Sequence, residues 1–126
     1  KSDAPERVSQ EAIFAARQEV SAVHIADAAE QYIVDLVIAS REPGRYGGEL
    51  VKWIQIGASP RATIALDAAA RARAWLRGND FVSPDDVQAV APACLAHRLH
   101  LSYEAEAAGK SREDVVDAIL ERVAVA

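Results

Sequence analysis

Between Gly57 and Gly78 the sequence marks both ends of one helix, and that helix limits what the rest of the chain can build. Ser59 offers a side-chain oxygen to the amides left open at a helix start, and Pro60 suits the first helical position because it has no N–H to leave unpaired. In a helix from Pro60 to about Arg77, Ile64, Ala65, Ala68, Ala72, Trp75 and Leu76 fall near one side, and Gly78 supplies a left-handed stop. One residue breaks the local rule. Arg61 falls in the first turn, where the positive end of the helix dipole disfavours a cation by a few tenths of a kcal/mol or more. An anion held jointly by the guanidinium and the helix N-terminus would offset that repulsion, and phosphate is the commonest such anion. The competing reading is a surface salt bridge to a nearby acid, worth at most about 1 kcal/mol.

The 126 residues suffice for one domain with a core. Hydrophobic residues make up 51% of the chain but aromatic residues only 6%; alanine supplies much of the difference, which favours closely approaching helices and an all-α class. A formal net charge of −5, with no run of Lys or Arg, argues against nucleic acid or an anionic membrane as a general partner. The single cysteine, Cys94, cannot form an internal disulfide, and neither a signal-peptide pattern nor an apolar run of spanning length is present. The expectation is a cytoplasmic protein without membrane insertion. With no methionine in the chain, a segment of a longer protein is expected.

Lys1 to Val8 reads as a linker, and Ser9 caps a first helix through about Gln18. Val20 to Ile25 is β-branched and roughly alternating, which predicts a short strand. Asp27 with Glu30 resembles a capping box, and Ala29, Ile33, Leu36, Val37 and Ser40 share one face of a helix ending near Arg41. Glu42 to Gly57 reads as an irregular loop, apolar enough from Leu50 to Ile56 to pack or extend. Ser83-Pro84-Asp85-Asp86 and Ser111-Arg112-Glu113-Asp114 each place an acid three residues after a serine cap and predict two more helices. Pro92 should bend or restart the first of these, and the alternating stretch Leu99 to Ser102 could pair with the strand near Val23. Val115, Val116, Ile119, Leu120 and Val123 form the apolar face of the last helix.

Three other constellations carry less chemistry. Gly109-Lys110-Ser111 looks like the tail of a phosphate-binding loop, but Glu104 stands where that motif needs glycine. Cys94, His97 and His100 lie within seven residues, yet only the first two share a helical face and no fourth metal ligand has convincing spacing. An enzyme built on Cys94 and His97 would need a third orienting group. His97, Arg98 and Arg41 sit where helix C-termini welcome cations.

Together, Gly57 to Ala62, the Ser83-Pro84-Asp85-Asp86-Val87 start, His97-Arg98-Leu99 and Leu101-Ser102-Tyr103-Glu104-Ala105-Glu106-Ala107 resemble the C-terminal part of MoxR-type AAA+ ATPases, from about Asp27 to Val125. The resemblance implies an all-α helical bundle, the AAA+ lid, with room for a short two-stranded β-ribbon. It implies that residues 27–126 form the lid and that residues 1–26 connect it, through one helix, to an ATPase core. Arg61 then corresponds to the sensor 2 arginine, which reaches the nucleotide γ-phosphate of its own or a neighbouring subunit, and Ser59, Pro60 and Ala62 flank it in the nucleotide-facing motif.

ATP and Mg are implied for the parent protein, bound mainly by a core whose Walker A lysine, Walker B acids and arginine finger have no counterparts here, so the fragment alone should be inactive. The implied partners are that core, neighbouring subunits in a chaperone-like ring, and a von Willebrand factor A domain protein. Two departures from the family pattern, Asn79 after Gly78 and a terminal Val-Ala-Val-Ala without proline, touch a local charge contact and the chain's exit. The rival reading is a free-standing helical adaptor that binds proteins through apolar faces.

Overall fold

In a computed structural model that describes residues 7–125, the chain forms seven helices and a two-stranded ribbon. They are α1 (Gln10–Ser21), α2 (Asp27–Arg41), α3 (Gly48–Trp53), β1 (Ile54–Ile56), α4 (Ala62–Leu76), α5 (Pro84–Leu95), β2 (His100–Leu101), α6 (Tyr103–Ala107) and α7 (Arg112–Arg122). Residues 1–6 of the expected linker, and Ala126 of the terminal departure, lie outside the described residues. Among those described, no helix is long and apolar enough to cross a membrane.

Local cap chemistry fixes most of the helix ends. Ser9 Oγ accepts the Ala12 amide at 3.1 Å and starts α1. Ser111 and Asp114 form a reciprocal box, with Ser111 N donating to Asp114 Oδ2 at 2.9 Å and Asp114 N donating to Ser111 Oγ at 3.0 Å. At α5 the Ser83 amide donates to Asp86 Oδ2 at 2.9 Å. Gly78 (φ +78°) and Gly109 (φ +76°) end α4 and α6 in left-handed turns. In each turn the next amide reaches back: Asn79 N donates to Ala74 O at 2.9 Å, and Lys110 N to Ala105 O at 3.0 Å. Asn79 therefore acts through its backbone in a helix stop.

The core lies where α4 meets α5 and α2 covers both. Ala62, Leu66, Ala70 and Ala74 are buried along α4 at every fourth position, opposite Val87, Ala91 and Leu95 of α5. Small side chains at i, i+4 spacing let the two helices approach closely. This face corrects the expected one: Ile64 is 70% exposed and Leu76 75% exposed. Tyr32, Ile33, Leu36 and Val37 of α2 and Val115, Val116 and Ile119 of α7 complete the core with Leu50, Ile54 and Leu99.

Five further expectations are corrected. Val20 to Ile25 is not a strand, because α1 runs on to Ser21, and His24 makes only an isolated parallel bridge to Phe81. Leu99 to Ser102 does supply a strand, but β2 pairs antiparallel with β1, Ile54 opposite Leu101 and Ile56 opposite His100. The stretch expected as a loop thus contains both α3 and β1. Asp27 caps nothing; Ala26 occupies the cap position of α2 without a side-chain bond, and Asp27 acts as an acid in the first turn. Pro92 does not break α5, which continues to Leu95 before a short 3₁₀ turn over Ala96–Arg98.

Candidate functional site

The Ser59-Pro60-Arg61-Ala62 turn enters α4 from a backbone segment gripped by the end of α2. Ser40, fully buried in the last turn of α2, donates its hydroxyl to Val37 O at 2.7 Å and accepts the Ala58 amide at 3.0 Å. The next residue, Arg41, donates Nη1 to Ala58 O at 3.1 Å. Both polar backbone atoms of Ala58 are thus bound by consecutive residues of one helix. Gly57 lies so close to α2 that an added Cβ would stand 2.1 Å from the Ser40 carbonyl oxygen. Here glycine provides space; its φ is not positive.

Downstream of the grip the turn satisfies itself. Ser59 Oγ accepts the Arg61 amide at 3.3 Å, Ala62 N donates to Ser59 O at 2.9 Å and Thr63 N to Pro60 O at 3.1 Å. Ile64 N and Ala65 N share Arg61 O, and Thr63 Oγ1 donates to Pro60 O at 2.7 Å. The regular helix consequently starts at Ala62, two residues later than expected. The amides that would have shared an anion with Arg61 are already bonded, so the guanidinium is the donor the turn presents.

Arg61 is exposed. Among the described residues it makes no ion pair; the arginines that do are Arg45, Arg71, Arg73 and Arg122. The first turn of α4 contains no acid to relieve the repulsion between guanidinium and helix dipole. An exposed guanidinium without an acidic partner fits phosphoryl oxygens, which it can bind through two parallel N–H bonds. Ser59 and Pro60 are exposed beside it, whereas the Ala62 side chain is buried and belongs to the core. A groove of about 360 Å³ between α2 and α4 begins just beyond, but Glu30 and Asp67 line it and make it unsuited to an anion.

The other candidates have structural duties. Arg98 Nη1 donates to Cys94 O and closes the end of α5. Burial pushes the Cys94 thiol up, against the pull of Arg98, and its sulfur lies 3.8 Å from Ala65 O. His97 and His100 are exposed, and no group of three His, Cys, Asp or Glu among the described residues is arranged to hold a metal ion. Lys110 lies 4.6 Å over the Trp53 ring.

Sequence reasoning put Ser40 on the correct helix face and Arg41 at the helix end, but missed what they hold. The signal was Gly57: a glycine that neither ends a helix nor needs a left-handed φ points to a close backbone approach.

Residues 52–119 match the family model described as AAA lid domain. The chain is 46% identical over 95 residues to "Chaperone MoxR1" of Mycobacterium tuberculosis, covering 75% of this chain and 25% of that protein. It is 39% identical over 109 residues to "Protein MoxR" of Methylorubrum extorquens, covering 81% of this chain and 32% of the other. A crystal structure described as a candidate ATPase from Cytophaga hutchinsonii superposes with a TM-score of 0.89 at 40% identity, over 94% of this chain and 36% of that one. The chain spans between a quarter and a third of the length of these two curated relatives. With a helical fold, a two-stranded ribbon and spaced motifs all in agreement, the chain belongs to the AAA lid domain family, as a lid of the MoxR-type AAA+ ATPases.

Proposed function

We propose that Arg61 is the sensor 2 arginine of a chaperone-like AAA+ ring and couples ATP binding and hydrolysis, carried out mainly by a core outside this chain, to movement of the lid. The observation that supports this reading is an exposed guanidinium without an acidic partner among the described residues, on a turn braced by two residues of α2. In this reading residues 1–26 connect core to lid, and Arg61 neutralises charge that develops on the transferred phosphoryl group. Arginines in comparable roles contribute about 10³-fold or more in rate. The core supplies the Mg site, neighbouring subunits complete the ring in the cytoplasm, and a von Willebrand factor A domain protein is the expected partner.

The adaptor reading draws on a different surface. An apolar groove of about 640 Å³ runs between α1 and α4 past Ile13, Ala16, Val20 and Trp75, and Phe14 beside it is 63% exposed. Nucleotide dependence separates the two readings. In the polypeptide that joins this lid to its core, fluorophores on lid and core should report a distance change between ADP and a non-hydrolysable ATP analogue. Arg61→Ala should remove most of that change while the isolated lid keeps its melting temperature. A full-sized change in the variant would remove the sensor assignment.

A further inference from the structure

We propose that Ser40 and Arg41 are positioning residues for Arg61, making the end of α2 the part of the lid that sets where the guanidinium points. The inference rests on the sensor reading and adds residues that the Arg61 motif does not contain. Ser40 is fully buried, and its hydroxyl bridges α2's own Val37 carbonyl to the Ala58 amide. Arg41 takes the Ala58 carbonyl, and the absent Cβ of Gly57 lets the two backbones touch. Ala58 is itself fully buried, so the chain leaves a fixed point three residues before Arg61. From there Ser59 Oγ and the Ser59, Pro60 and Arg61 carbonyls carry the turn into α4.

The chemistry suits a rigid link. The Ser40 hydroxyl spends its proton on Val37 O and offers a lone pair to Ala58 N, so alanine at position 40 would leave a buried amide unpaired. Arg41 lies in the last turn of α2, where the helix dipole favours a cation, yet its guanidinium donates to the neighbouring segment. Any tilt of α2 must therefore be followed by the Arg61 turn. Catalytic groups are sensitive to such placement, with an error of about 1 Å able to cost about 10²-fold in rate.

The test is a mutant cycle in the polypeptide that joins this lid to its ATPase core, reading kcat and KM for ATP. Ser40→Ala and Arg41→Ala should each lower kcat about tenfold with less change in KM, because they displace an interaction made in the transition state. On an Arg61→Ala background the same changes should alter kcat by less than about twofold, because residues acting through one group are not additive. Arg41 is exposed, so its variant tests the link even where Ser40→Ala unfolds the lid.

Normal kcat and KM in Arg41→Ala and in folded Ser40→Ala, beside an impaired Arg61→Ala, would overturn the positioning role alone. Losses that multiply with Arg61→Ala would overturn it too, since they show an effect independent of Arg61. Wild-type turnover in Arg61→Ala would overturn the sensor reading and this inference with it.

Discussion

Asp86 is the fully buried carboxylate among the described residues. It accepts from the Ser83 amide at 2.9 Å and hydroxyl at 3.1 Å, and pairs with Arg73 at 2.6 Å. Burial pushes the carboxyl up, but the Ser83 backbone, the Arg73 guanidinium and the Ser83 hydroxyl outweigh it and hold the group below its ordinary 3.8. A depressed carboxyl stabilises the fold fully above its unfolded pKa, and that contribution is lost as the pH falls through the folded one. Asp86→Asn should therefore lower stability near neutral pH by roughly 2–3 kcal/mol, below the usual range for a fully buried pair because Arg73 is partly exposed. Denaturant titrations at several pH values should show the gap between wild type and variant narrowing in acid. A gap constant with pH would mean that the carboxylate charge contributes nothing.

At the scale of elements, legibility followed the range of the interactions. The starts of α1, α5 and α7 were readable because a serine and a nearby amide settle them within four residues. The β1–β2 pairing was not, because it joins segments almost fifty residues apart and nothing local distinguishes Ile54–Ile56 from Val20–Ile25 as partner. Pro92 was expected to bend or restart the helix, and the restart was misread: the proline removes one amide bond, yet the neighbouring bonds carry α5 on to Leu95.

The α4 face was misread because, in an alanine-rich helix, the large residues need not mark the core. Close approach of α5 selects Ala62, Ala70 and Ala74 and leaves Ile64 outside. Ala70→Leu should then cost about 1–3 kcal/mol by overpacking, and Ile64→Ala should change stability by less than about 0.5 kcal/mol. Equal effects in thermal unfolding would contradict the packing described.

The whole molecule combines a well-packed body with surfaces the body does not use. None of the α1 residues is buried, and the helix leans on α4 through half-buried Ala16 and Val20, with Trp75 Nε1 donating to Glu19 Oε1 at 3.5 Å. Arg71 ties the α1–α2 connection to the body, pairing with Asp67 at 2.7 Å and donating to the Val23 carbonyl. On the α2 side the braced turn carries Arg61 outward. The guanidinium was legible from the sequence because it broke a rule of helix starts. Its support was not, because Ser40 and Ala58 are brought together only by the fold.

The account stands on that guanidinium acting on a phosphoryl group, and single-turnover ATP hydrolysis in the polypeptide carrying lid and core measures this most directly. Arg61→Ala should slow the chemical step by about 10³-fold or more, with Arg61→Lys recovering only part because a point charge lacks the two-pronged fit. A chemical step unchanged in Arg61→Ala, with nucleotide bound to saturation, would contradict the account.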